Sequence, residues 1–548
     1  MEWVTSYRFE KEEFAELQNH RFGKNWPVVY VIEGKKEAYV GETTDVLRRS
    51  HQHYKNEKRN ILDSIHVIAD EEFNKSATLD IEALLIEHIA ADGKFILQNG
   101  NAGLANHNYY DKEKYTSKFE LIWKELQDKD ITVNDLADIR NSDLFKYSPY
   151  KALTEDQYLT AKRIYNNITS QEESIDLVKG EPGTGKTILA VYLMKYLAQK
   201  EETKHLKTAL VVPMTSLRGT IRKVFKNIKG LKSSMVIGPF DVIKDNYDIL
   251  IVDEAHRLNQ RKNISNMKAF DDVNKALGLD IYKGNQLDWI KLSAKNIVLF
   301  YDGNQSIKPS DIGRESFDAI NPNWHFIESQ MRVLGGNDYI KYIENILWQK
   351  QKEKRLIKDY EFYLFEDVNE MIEEIKKKDK ECGLSRALAG YAWEWKSNKN
   401  PKAYDIEIEN YKYRWNSQTK DWVNSKNAIN EIGCIHTIQG YDLNFAGVII
   451  GNEIRYNGHT IEIEPKEYFD KNGKKTIDDP AVLKRYILNI YKTLMTRGIK
   501  GTYVYCCDEG LREYLKGFVG LWEKEEVNEK SVGMVAEEGA GYSRFSKY

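Results

Sequence analysis

An eight-residue stretch, GEPGTGKT at residues 180–187, constrains the fold of this chain more than any other feature. It matches the phosphate-binding pattern G-x-x-x-x-G-K-[ST] at every fixed position. A short β-prone segment, residues 175–179, precedes it, and an apolar segment, residues 188–194, follows it. Strand, glycine loop and helix are the context that this motif requires. The stretch therefore predicts a nucleotide site in an α/β domain.

The residues of this loop have separate tasks. The glycines let backbone N–H groups close around phosphates, and the dipole of the following helix favours the anion. Lys186 can bridge the β- and γ-phosphates, and Thr187 can hold Mg²⁺. We therefore expect ATP with Mg²⁺ to bind along the whole loop, which comprises Gly180, Glu181, Pro182, Gly183, Thr184, Gly185, Lys186 and Thr187.

A second motif supplies acidic groups for hydrolysis. Residues 248–256, DILIVDEAH, form an apolar strand that ends in paired carboxylates, as in a Walker B strand. Asp253 can hold Mg²⁺ through water, and Glu254 can orient the water that attacks the γ-phosphate. Together the two motifs predict a P-loop core that hydrolyses ATP.

Length and composition fit a large protein of several domains. With 548 residues, 41% of them hydrophobic and 30% charged, the composition is that of neither a disordered nor a membrane-spanning chain. The first residues, MEWVTSYRFEKEEF, lack an apolar signal core, and no apolar run approaches the roughly 18 residues of a membrane span. We expect a cytoplasmic protein with no membrane partner. The four cysteines lack zinc-ligand spacing and predict reduced thiols.

The net charge of −3 means that any nucleic-acid binding must rely on local basic patches. One patch, residues 218–232, follows an apolar run at residues 208–213 that is typical of a buried parallel strand. Its composition alone fits a solvated helix face, but its place behind a core strand favours contact with a nucleic-acid backbone. Its basic residues are Arg218, Arg222, Lys223, Lys226, Lys229 and Lys232.

The first hundred residues predict a small separate unit. Residues 27–32 and 37–41 are apolar and flank a glycine-lysine turn, a pattern typical of a β-hairpin. A helix is expected next, with Arg49 and His53 four residues apart on one face. A second helix, residues 79–91, carries Glu82 and Glu87, which lie about 140° apart around its axis. Only one of these two acids can therefore enter a common pocket.

Residues 25–105 resemble the GIY-YIG nuclease domain. The first tripeptide stands as Val28-Val29-Tyr30, which departs from the family at Val28 and Val29, and the second as Tyr39-Val40-Gly41. The resemblance implies a metal-dependent cut of a phosphodiester, with one Mg²⁺ or Mn²⁺ on the glutamate, an arginine at the phosphate, and a tyrosine or its neighbour at the attacking water. The implied site residues are Tyr30, Tyr39, Arg49, His53, Glu87 and Asn99, with Glu87 as the metal ligand.

Further segments resemble motifs of superfamily 1 helicases. Gln157 falls on the glutamine that reads adenine, and Gln305, in D-x-x-Q, falls on the glutamine that senses the γ-phosphate. Arg332 falls on an arginine that contacts that phosphate. Gln439 belongs to an element T-x-H-x-x-Q-G-x-E, in which Asp442 replaces the glutamate, and Arg497 falls on the arginine finger of a second lobe.

Together with the tract AGYAWEW at residues 389–395, these motifs resemble the Schlafen-like DNA/RNA helicase family of bacteria over about residues 150–520. Members of that family are often fused to a nuclease module. Four tryptophans could stack on unpaired bases, although packing in a core or hairpin is commoner for such residues. They are Trp393, Trp395, Trp415 and Trp422.

The expected fold class is α/β, a small mixed α/β GIY-YIG domain followed by two RecA-like parallel-sheet lobes. The expected boundaries are a nuclease domain at 1–105, a helical linker at 106–150, lobes at 151–340 and 341–520, and a flexible tail at 521–548.

Two functions remain open at this stage. The first is an ATP-dependent nucleic-acid motor coupled to a metal-dependent endonuclease, acting on DNA in preference to RNA, in defence against foreign DNA. The second is an ATP-hydrolysing sensor or translocase whose first domain binds nucleic acid without cutting it. A homo-oligomer or a partner protein is compatible with both.

Overall fold

The computed structural model describes residues 2–100, 109–264, 266–305, 308–418, 421–438, 440–475, 477 and 479–524. Gln439 and residues 525–548 of the expected tail lie outside the described residues.

The N-terminal unit is a five-stranded sheet with helices packed against it, in the strand order β1-β4-β2-β3-β5. β2 and β3 form the expected antiparallel hairpin, in which Tyr30 lies opposite Gly41. The long helix α3 begins where the Asn74 side chain accepts a hydrogen bond from Ala77 N, and it ends at Gly93, whose φ is 76°. The elements are β1 (Val4–Arg8), α1 (Phe14–Asn19), β2 (Lys24–Gly34), β3 (Glu37–Asp45), α2 (Val46–Tyr54), β4 (Leu62–Ile68), α3 (Lys75–Asp92) and β5 (Ile96–Leu97).

Three helices follow in the segment expected to be a linker: α4 (Lys112–Asp128), α5 (Leu136–Asn141) and α6 (Asp143–Lys146). α4 buries Phe119, Ile122 and Trp123 in the same apolar core as β2 and α3. An amphipathic helix of 17 residues thus completes the N-terminal unit, which is more than the short helical element expected from the sequence.

The first lobe is a six-stranded parallel sheet in the order β11-β6-β10-β9-β7-β8. Its central strands are buried on both faces, which explains their unbroken apolar sequences. The elements are α7 (Glu155–Ser170), β6 (Ser174–Gly180), α8 (Lys186–Gln199), β7 (Thr208–Val211), α9 (Thr215–Lys226), β8 (Val236–Ile237), β9 (Tyr247–Val252), α10 (Met267–Ala276), α11 (Gln286–Ser293), β10 (Ala294–Tyr301), α12 (Arg314–Asp318) and β11 (Asn323–Ile327).

The second lobe repeats this architecture with a parallel sheet in the order β16-β13-β17-β20-β12-β21. The short antiparallel pairs β14-β15 and β18-β19 stand apart from that sheet. The elements are α13 (Gly336–Leu347), β12 (Glu361–Leu364), α14 (Val368–Cys382), β13 (Ser385–Ala389), β14 (Ile406–Ile408), β15 (Tyr411–Tyr413), β16 (Ile432–Cys434), α15 (Ile435–Ile438), β17 (Leu443–Ile450), β18 (Ile454–Tyr456), β19 (Ile461–Ile463), α16 (Lys471–Lys474), α17 (Pro480–Met495), β20 (Gly498–Cys506), α18 (Glu509–Lys516) and β21 (Gly520–Leu521).

The structure thus has the mixed α/β class with two parallel-sheet lobes that the sequence predicts. Trp415 and Trp422 are fully buried, so these two rings serve the core of the second lobe and are inaccessible to bases. Within the described ranges, no helix is long and apolar enough to cross a membrane.

Candidate functional sites

The glycine loop joins β6 to α8 as its sequence predicts. Gly183 and Gly185 have φ values of 86° and 74°, a region that residues with a side chain rarely adopt. Lys186 folds back on the loop, where its Nζ donates to the carbonyl oxygens of Gly180 at 2.7 Å and Glu181 at 2.9 Å. The lysine ammonium therefore lies in the loop with its donors turned toward neutral carbonyls.

The acidic pair follows β9 at the carboxyl edge of the same sheet. Thr187 Oγ1 donates to Asp253 Oδ2 at 2.8 Å, which places one hydroxyl and one carboxylate where hard oxygen ligands of Mg²⁺ are needed. Burial, then the neighbouring charge of Glu254, raises the pKa of Asp253 to about 7. A divalent cation at this point would lower that pKa again, since it favours the charged carboxylate.

Glu254 adopts a left-handed backbone with φ of 51°, which turns its carboxylate toward His256. Glu254 Oε2 lies 3.1 Å from His256 Nε2, and His256 Nδ1 accepts a hydrogen bond from Asp302 N at 3.2 Å. Because Nδ1 accepts, the ring proton is on Nε2, the nitrogen nearer to Glu254. The two side chains are close but form no hydrogen bond with each other, so His256 is a buried neighbour of the acid expected to activate water.

A chain of polar contacts crosses from the second lobe to the glycine loop. Arg497 donates through one terminal nitrogen to Gln305 Oε1 at 3.4 Å, and Gln305 Nε2 donates to Asp302 Oδ2 at 2.7 Å. The same Asp302 oxygen lies 3.5 Å from Lys186 Nζ. The structure therefore brings together three residues that the sequence placed far apart, namely Lys186, Gln305 and Arg497.

Arg497 is 1% exposed, and burial followed by the nearby charge of Arg332 lowers its pKa to about 10. Its buried Nε has no hydrogen-bond partner among the described residues. A guanidinium held in this way is costly unless an anion completes its contacts, so the site fits the phosphate groups of a nucleotide.

The segment before α13 rests directly on the glycine loop. Met331 N donates to Gly183 O at 2.9 Å, and Gln330 Nε2 donates to Pro182 O at 2.8 Å. The following Arg332 forms an ion pair across the lobes with Asp442, which stands at the last position of the second-lobe motif. The glycine loop, Arg332 and that motif are thus linked by direct contacts.

Gln157 lies against the glycine loop. Its side chain is completely buried, Oε1 accepts from Thr154 N at 3.1 Å, and Nε2 donates to Thr184 O at 2.7 Å. The amide contacts the glycine loop and closes a capping box at the start of α7, so in this structure both ends of the amide are already bonded within the chain, and the adenine contact stays a prediction. Thr154-Glu155-Asp156-Gln157 is itself a capping-box sequence, a signal that was available.

The basic patch is also less free than its composition suggested. Arg218 and Arg222 donate to the carbonyl oxygens of Val212 and Val236, at 3.1 and 2.8 Å. The four lysines of the patch are all exposed. Lys223 and Lys229 form ion pairs with Asp421 of the second lobe and Glu37 of the N-terminal unit. Two of the six basic residues therefore join the first lobe to its neighbours, and the two arginines bond within the first lobe.

In the N-terminal unit, α2 and the hairpin bring four predicted residues together. The Tyr30 hydroxyl lies 2.7 Å from His53 Nε2, and Arg49 Nε donates to the same hydroxyl at 3.4 Å. The Tyr39 ring lies 4.9 Å from the His53 ring. Burial raises the pKa of Tyr30 well above its ordinary value, although Arg49 opposes this effect. Tyr30 and His53 are both 1% exposed, so this pair is fixed in place.

The predicted metal ligand, Glu87, requires a correction. It lies on the side of α3 that faces Lys151 and Arg140, away from the cluster. Glu82, on the other side of the helix, is the acid near Arg49 and Glu42, and burial together with Glu42 raises its pKa to about 7. The periodicity of the helix allows only one of the two acids to enter a common pocket, and the charged neighbours favour Glu82, since Arg49 and Glu42 act on Glu82 and not on Glu87.

Asn99 is not directed into the cluster either. Its Oδ1 accepts from Val40 N at 3.0 Å and its Nδ2 donates to Val40 O at 2.8 Å. The Asn99 amide therefore bonds both backbone groups of Val40, as a neighbouring strand would, and holds the second tripeptide in place. This backbone contact is one reason for an asparagine at this position.

Two residues of the cluster were missed. Arg59 lies over the Tyr39 ring, with Cζ 3.7 Å from the ring centroid, and Glu42 is close enough to Glu82 to raise its pKa. Glu82 and Glu42 carry carboxylate oxygens, the type of ligand that a divalent cation prefers, although Glu42 is paired with Lys75 in this structure. The described residues contain no group of three histidines, cysteines or acids arranged around a common point.

Two parallel-sheet lobes, a glycine loop on one and an arginine from the other define a helicase-like P-loop ATPase. Residues 173–508 match the model of Schlafen group 3, DNA/RNA helicase domain. Since this match covers more than half of the chain, the chain belongs to that family.

A protein of Saccharomyces cerevisiae (strain ATCC 204508 / S288c), the uncharacterized protein YPL245W, is 28% identical in an alignment of 391 residues, and the match covers 62% of this chain and 83% of the yeast protein. Two structures of Pif1 helicase from Bacteroides, one with ADP-AlF3 and ssDNA and one with ssDNA, each cover 65% of this chain and 92% of their own. They are 10% and 12% identical, with TM-scores of 0.28 and 0.26, which are too low to establish a shared arrangement.

Proposed function

We propose that the two lobes hydrolyse ATP and use the energy to move along a nucleic acid. The contact chain from Arg497 through Gln305 and Asp302 to Lys186 carries this proposal, because it makes the glycine loop depend on the second lobe. Lys186 would exchange the carbonyls of Gly180 and Glu181 for the β- and γ-phosphates.

Thr187 and Asp253 would hold Mg²⁺, which supplies positive charge next to the phosphates. Glu254, which lies beside His256, would accept a proton from the attacking water. Arg497 and Arg332 would neutralise charge that develops on the γ-phosphate. Arg332 must first leave Asp442, so ATP binding and rearrangement of the cleft are linked.

The test is ATP hydrolysis with and without single-stranded DNA or RNA. Lys186→Ala should abolish hydrolysis, whereas Lys200→Ala, at the far end of the same helix, should retain it. The polymer that stimulates the wild type identifies the substrate, for which we favour DNA. Hydrolysis that survives Lys186→Ala would contradict the assignment of this loop.

We further propose that the N-terminal unit cuts a nucleic-acid backbone with Mg²⁺ or Mn²⁺. The buried contact between Tyr30 and His53, beside Arg49, supports this proposal. Because a guanidinium only donates, the 3.4 Å contact between Arg59 and His53 Nε2 makes that nitrogen an acceptor. The Tyr30 hydroxyl then donates to His53, so Tyr30 can take a proton from the attacking water while its own proton moves to His53 Nε2.

The two glutamates of α3 offer a matched pair for the test. Nicking of a supercoiled plasmid with Mn²⁺ should be lost in Glu82→Gln and retained in Glu87→Gln, since only Glu82 lies at the cluster. Thermal melting of both variants controls for folding. The reverse result would restore the original assignment of Glu87, and loss in neither would exclude this site.

The segment between the units supports coupling of the two activities. Lys146 donates to Asp442 O at 3.0 Å, and Tyr147 donates to Gly440 O, so this segment holds the second-lobe motif. On its other side the Phe145 ring packs 4.8 Å from the ring of His88 on α3, the helix that carries Glu82. Cleavage by the Glu254→Gln variant, measured with and without ATP, tests this link. Cleavage indifferent to ATP would contradict it.

A second candidate function is a sensor or translocase that binds without cutting. Val28 and Val29, where the GIY-YIG pattern has glycine and isoleucine, are fully buried, which favours a retained fold over a retained activity. Absence of nicking with any divalent metal, together with polymer-stimulated ATP hydrolysis, would establish this alternative. We also propose a cytoplasmic role in defence against foreign DNA, which plating of bacteriophage on a bacterial host that expresses the wild type or Lys186→Ala would test.

A further inference from the structure

The N-terminal cluster contains a second arginine, Arg59, that the sequence pattern does not include and to which no contact with substrate has yet been assigned. Arg59 ends the single 3-10 turn Glu57–Arg59, which follows α2. Its guanidinium lies flat against the Tyr39 ring at 3.7 Å and reaches His53 Nε2 at 3.4 Å. Stacking on an aromatic face fixes the direction of its N–H groups.

Arg49 approaches the same two aromatic residues from the other side. Its Nε donates to the Tyr30 hydroxyl at 3.4 Å, and its terminal nitrogen donates to Gln52 at 2.8 Å. Within the described residues, neither Arg49 nor Arg59 forms an ion pair with a carboxylate, although many other basic residues of the chain do. Two partly buried guanidiniums therefore contact the same group of Tyr30, Tyr39 and His53, and neither is in an ion pair with a carboxylate of the described residues.

Neither acid of the cluster forms an ion pair with the two arginines. Glu42 forms an ion pair with Lys75, and Glu82 lies next to Glu42 and near enough to Arg49 for the arginine charge to oppose the rise in the Glu82 pKa. The cluster thus has a cationic part and an acidic part that meet near Arg49 without direct pairing. Like charges held close together at low exposure favour the binding of an anion, because the anion removes their repulsion.

We propose that Arg49 and Arg59 together bind one phosphate group of a nucleic-acid backbone, with Arg59 as a binding residue in addition to Arg49. This inference rests on the proposed nuclease function, because it names the substrate group that the same cluster holds. A planar guanidinium that is already stacked on Tyr39 loses little freedom when it binds a phosphate oxygen.

Hydrogen bonds within the N-terminal unit, and an ion pair to the first lobe, hold the turn that carries Arg59. Gln98 Nε2 donates to Lys58 O at 2.8 Å and to Glu37 Oε2 at 2.9 Å. Glu37 in turn forms an ion pair with Lys229 of the first lobe. These contacts fix the backbone next to Arg59, and none of them involves the Arg59 guanidinium. The guanidinium therefore keeps its place beside Tyr39 and His53, as a preformed anion site requires.

The experiment measures binding of thymidine 3′,5′-bisphosphate to the full chain without divalent metal, by calorimetry. All variants carry Lys186→Ala, so that the glycine loop contributes no phosphate binding. Arg59→Gln should weaken binding about tenfold, the effect of losing one charged hydrogen bond, and Arg59→Lys should restore part of it. Arg48→Gln, on an exposed neighbour of Arg49, is the matched control and should bind as its parent does.

Equal affinities of Arg59→Gln and Arg48→Gln would overturn the proposal. If Arg59→Gln fails to fold, Arg59→Lys compared with Arg48→Lys decides, since only the former should weaken binding. Plasmid nicking, measured separately in the chain with intact Lys186, distinguishes the two inferences. Weaker bisphosphate binding without any nicking by the wild type would keep the phosphate site and reject the nuclease function.

Discussion

The motor cleft and the N-terminal cluster treat their charges in opposite ways. In the cleft, Lys186 is bound to carbonyls of its own loop and Arg332 is paired with Asp442. In the cluster, Arg49 and Arg59 have no carboxylate partner among the described residues, and they rest on tyrosines. The cations of the motor cleft are paired with groups of the chain itself, whereas the arginines of the N-terminal cluster are available to an anionic ligand.

The difference indicates how each site responds to its substrate. A nucleotide that enters the cleft must displace internal contacts, and this displacement can be converted into movement of one lobe against the other. A phosphate that enters the cluster displaces no ion pair, so it can bind without a conformational change. We therefore expect ATP binding to rearrange contacts between the two lobes, and phosphate binding to leave the N-terminal unit unchanged.

The largest effect is expected from Arg497→Ala, which removes the second lobe's contribution to the cleft. An arginine finger typically contributes about 10³-fold or more to the hydrolysis rate, so steady-state ATP turnover should fall by that order. The comparison variant is Arg485→Ala, on the preceding helix α17. A loss below about tenfold would show that Arg497 only packs the interface.

A smaller effect, of opposite sign, is expected from Asp442→Asn. This change releases Arg332 from its internal ion pair, which is partly exposed and worth about 1 kcal/mol. The affinity for ATP, measured by titration of a fluorescent analogue, should therefore increase about fivefold. Weaker nucleotide binding would show that Asp442 supports the cleft and does not compete for the arginine.

The third prediction concerns the pH dependence of the N-terminal unit. The pKa of Glu82 is raised to about 7 in the folded chain, so Glu82 contributes stability at low pH that is lost as the pH rises from the unfolded value through about 7. Melting temperatures at pH 5 and pH 8 should differ less in Glu82→Gln than in the wild type. Added Mg²⁺ should reduce the wild-type difference if Glu82 holds the metal. An unchanged difference in the variant would mean that the wild-type dependence arises elsewhere.

The sequence predicted those parts of the molecule whose structure is determined by residues close together in the chain. The loop glycines, the apolar β9 before Asp253 and the hairpin around Tyr30 each follow from spacing and hydrophobicity within one segment. Residues that act across elements were harder to place, since the docking of elements decides their partners. Gln157 was assigned to adenine, but a capping box and a contact with the glycine loop already bond its amide.

Glu82 and Arg59 show the same limit in the N-terminal unit. Helical geometry established that Glu82 and Glu87 cannot share a pocket, but choosing between them requires the side on which α4 and α5 pack. Arg59 lies in a short turn without a motif, and only the folded hairpin brings Tyr39 beneath it. Lys223 and Lys229 of the basic patch likewise form ion pairs with Asp421 and Glu37, which are distant in sequence and could not be identified as partners from the sequence.

The smallest effect is expected from Lys229→Ala, which removes the ion pair between the first lobe and Glu37 of the N-terminal unit. Both side chains are partly exposed, so the free energy of unfolding should change by less than about 1 kcal/mol. Even this change should disappear in 1 M salt, where the Debye length falls to about 3 Å. If the units are instead held by packing, Lys229→Ala and the exposed control Lys226→Ala should melt alike at every salt concentration. A destabilisation by Lys229→Ala that persists in high salt would show that the Lys229 side chain packs at the contact between the first lobe and the N-terminal unit. The two sites compared above would then belong to units that are held together rigidly.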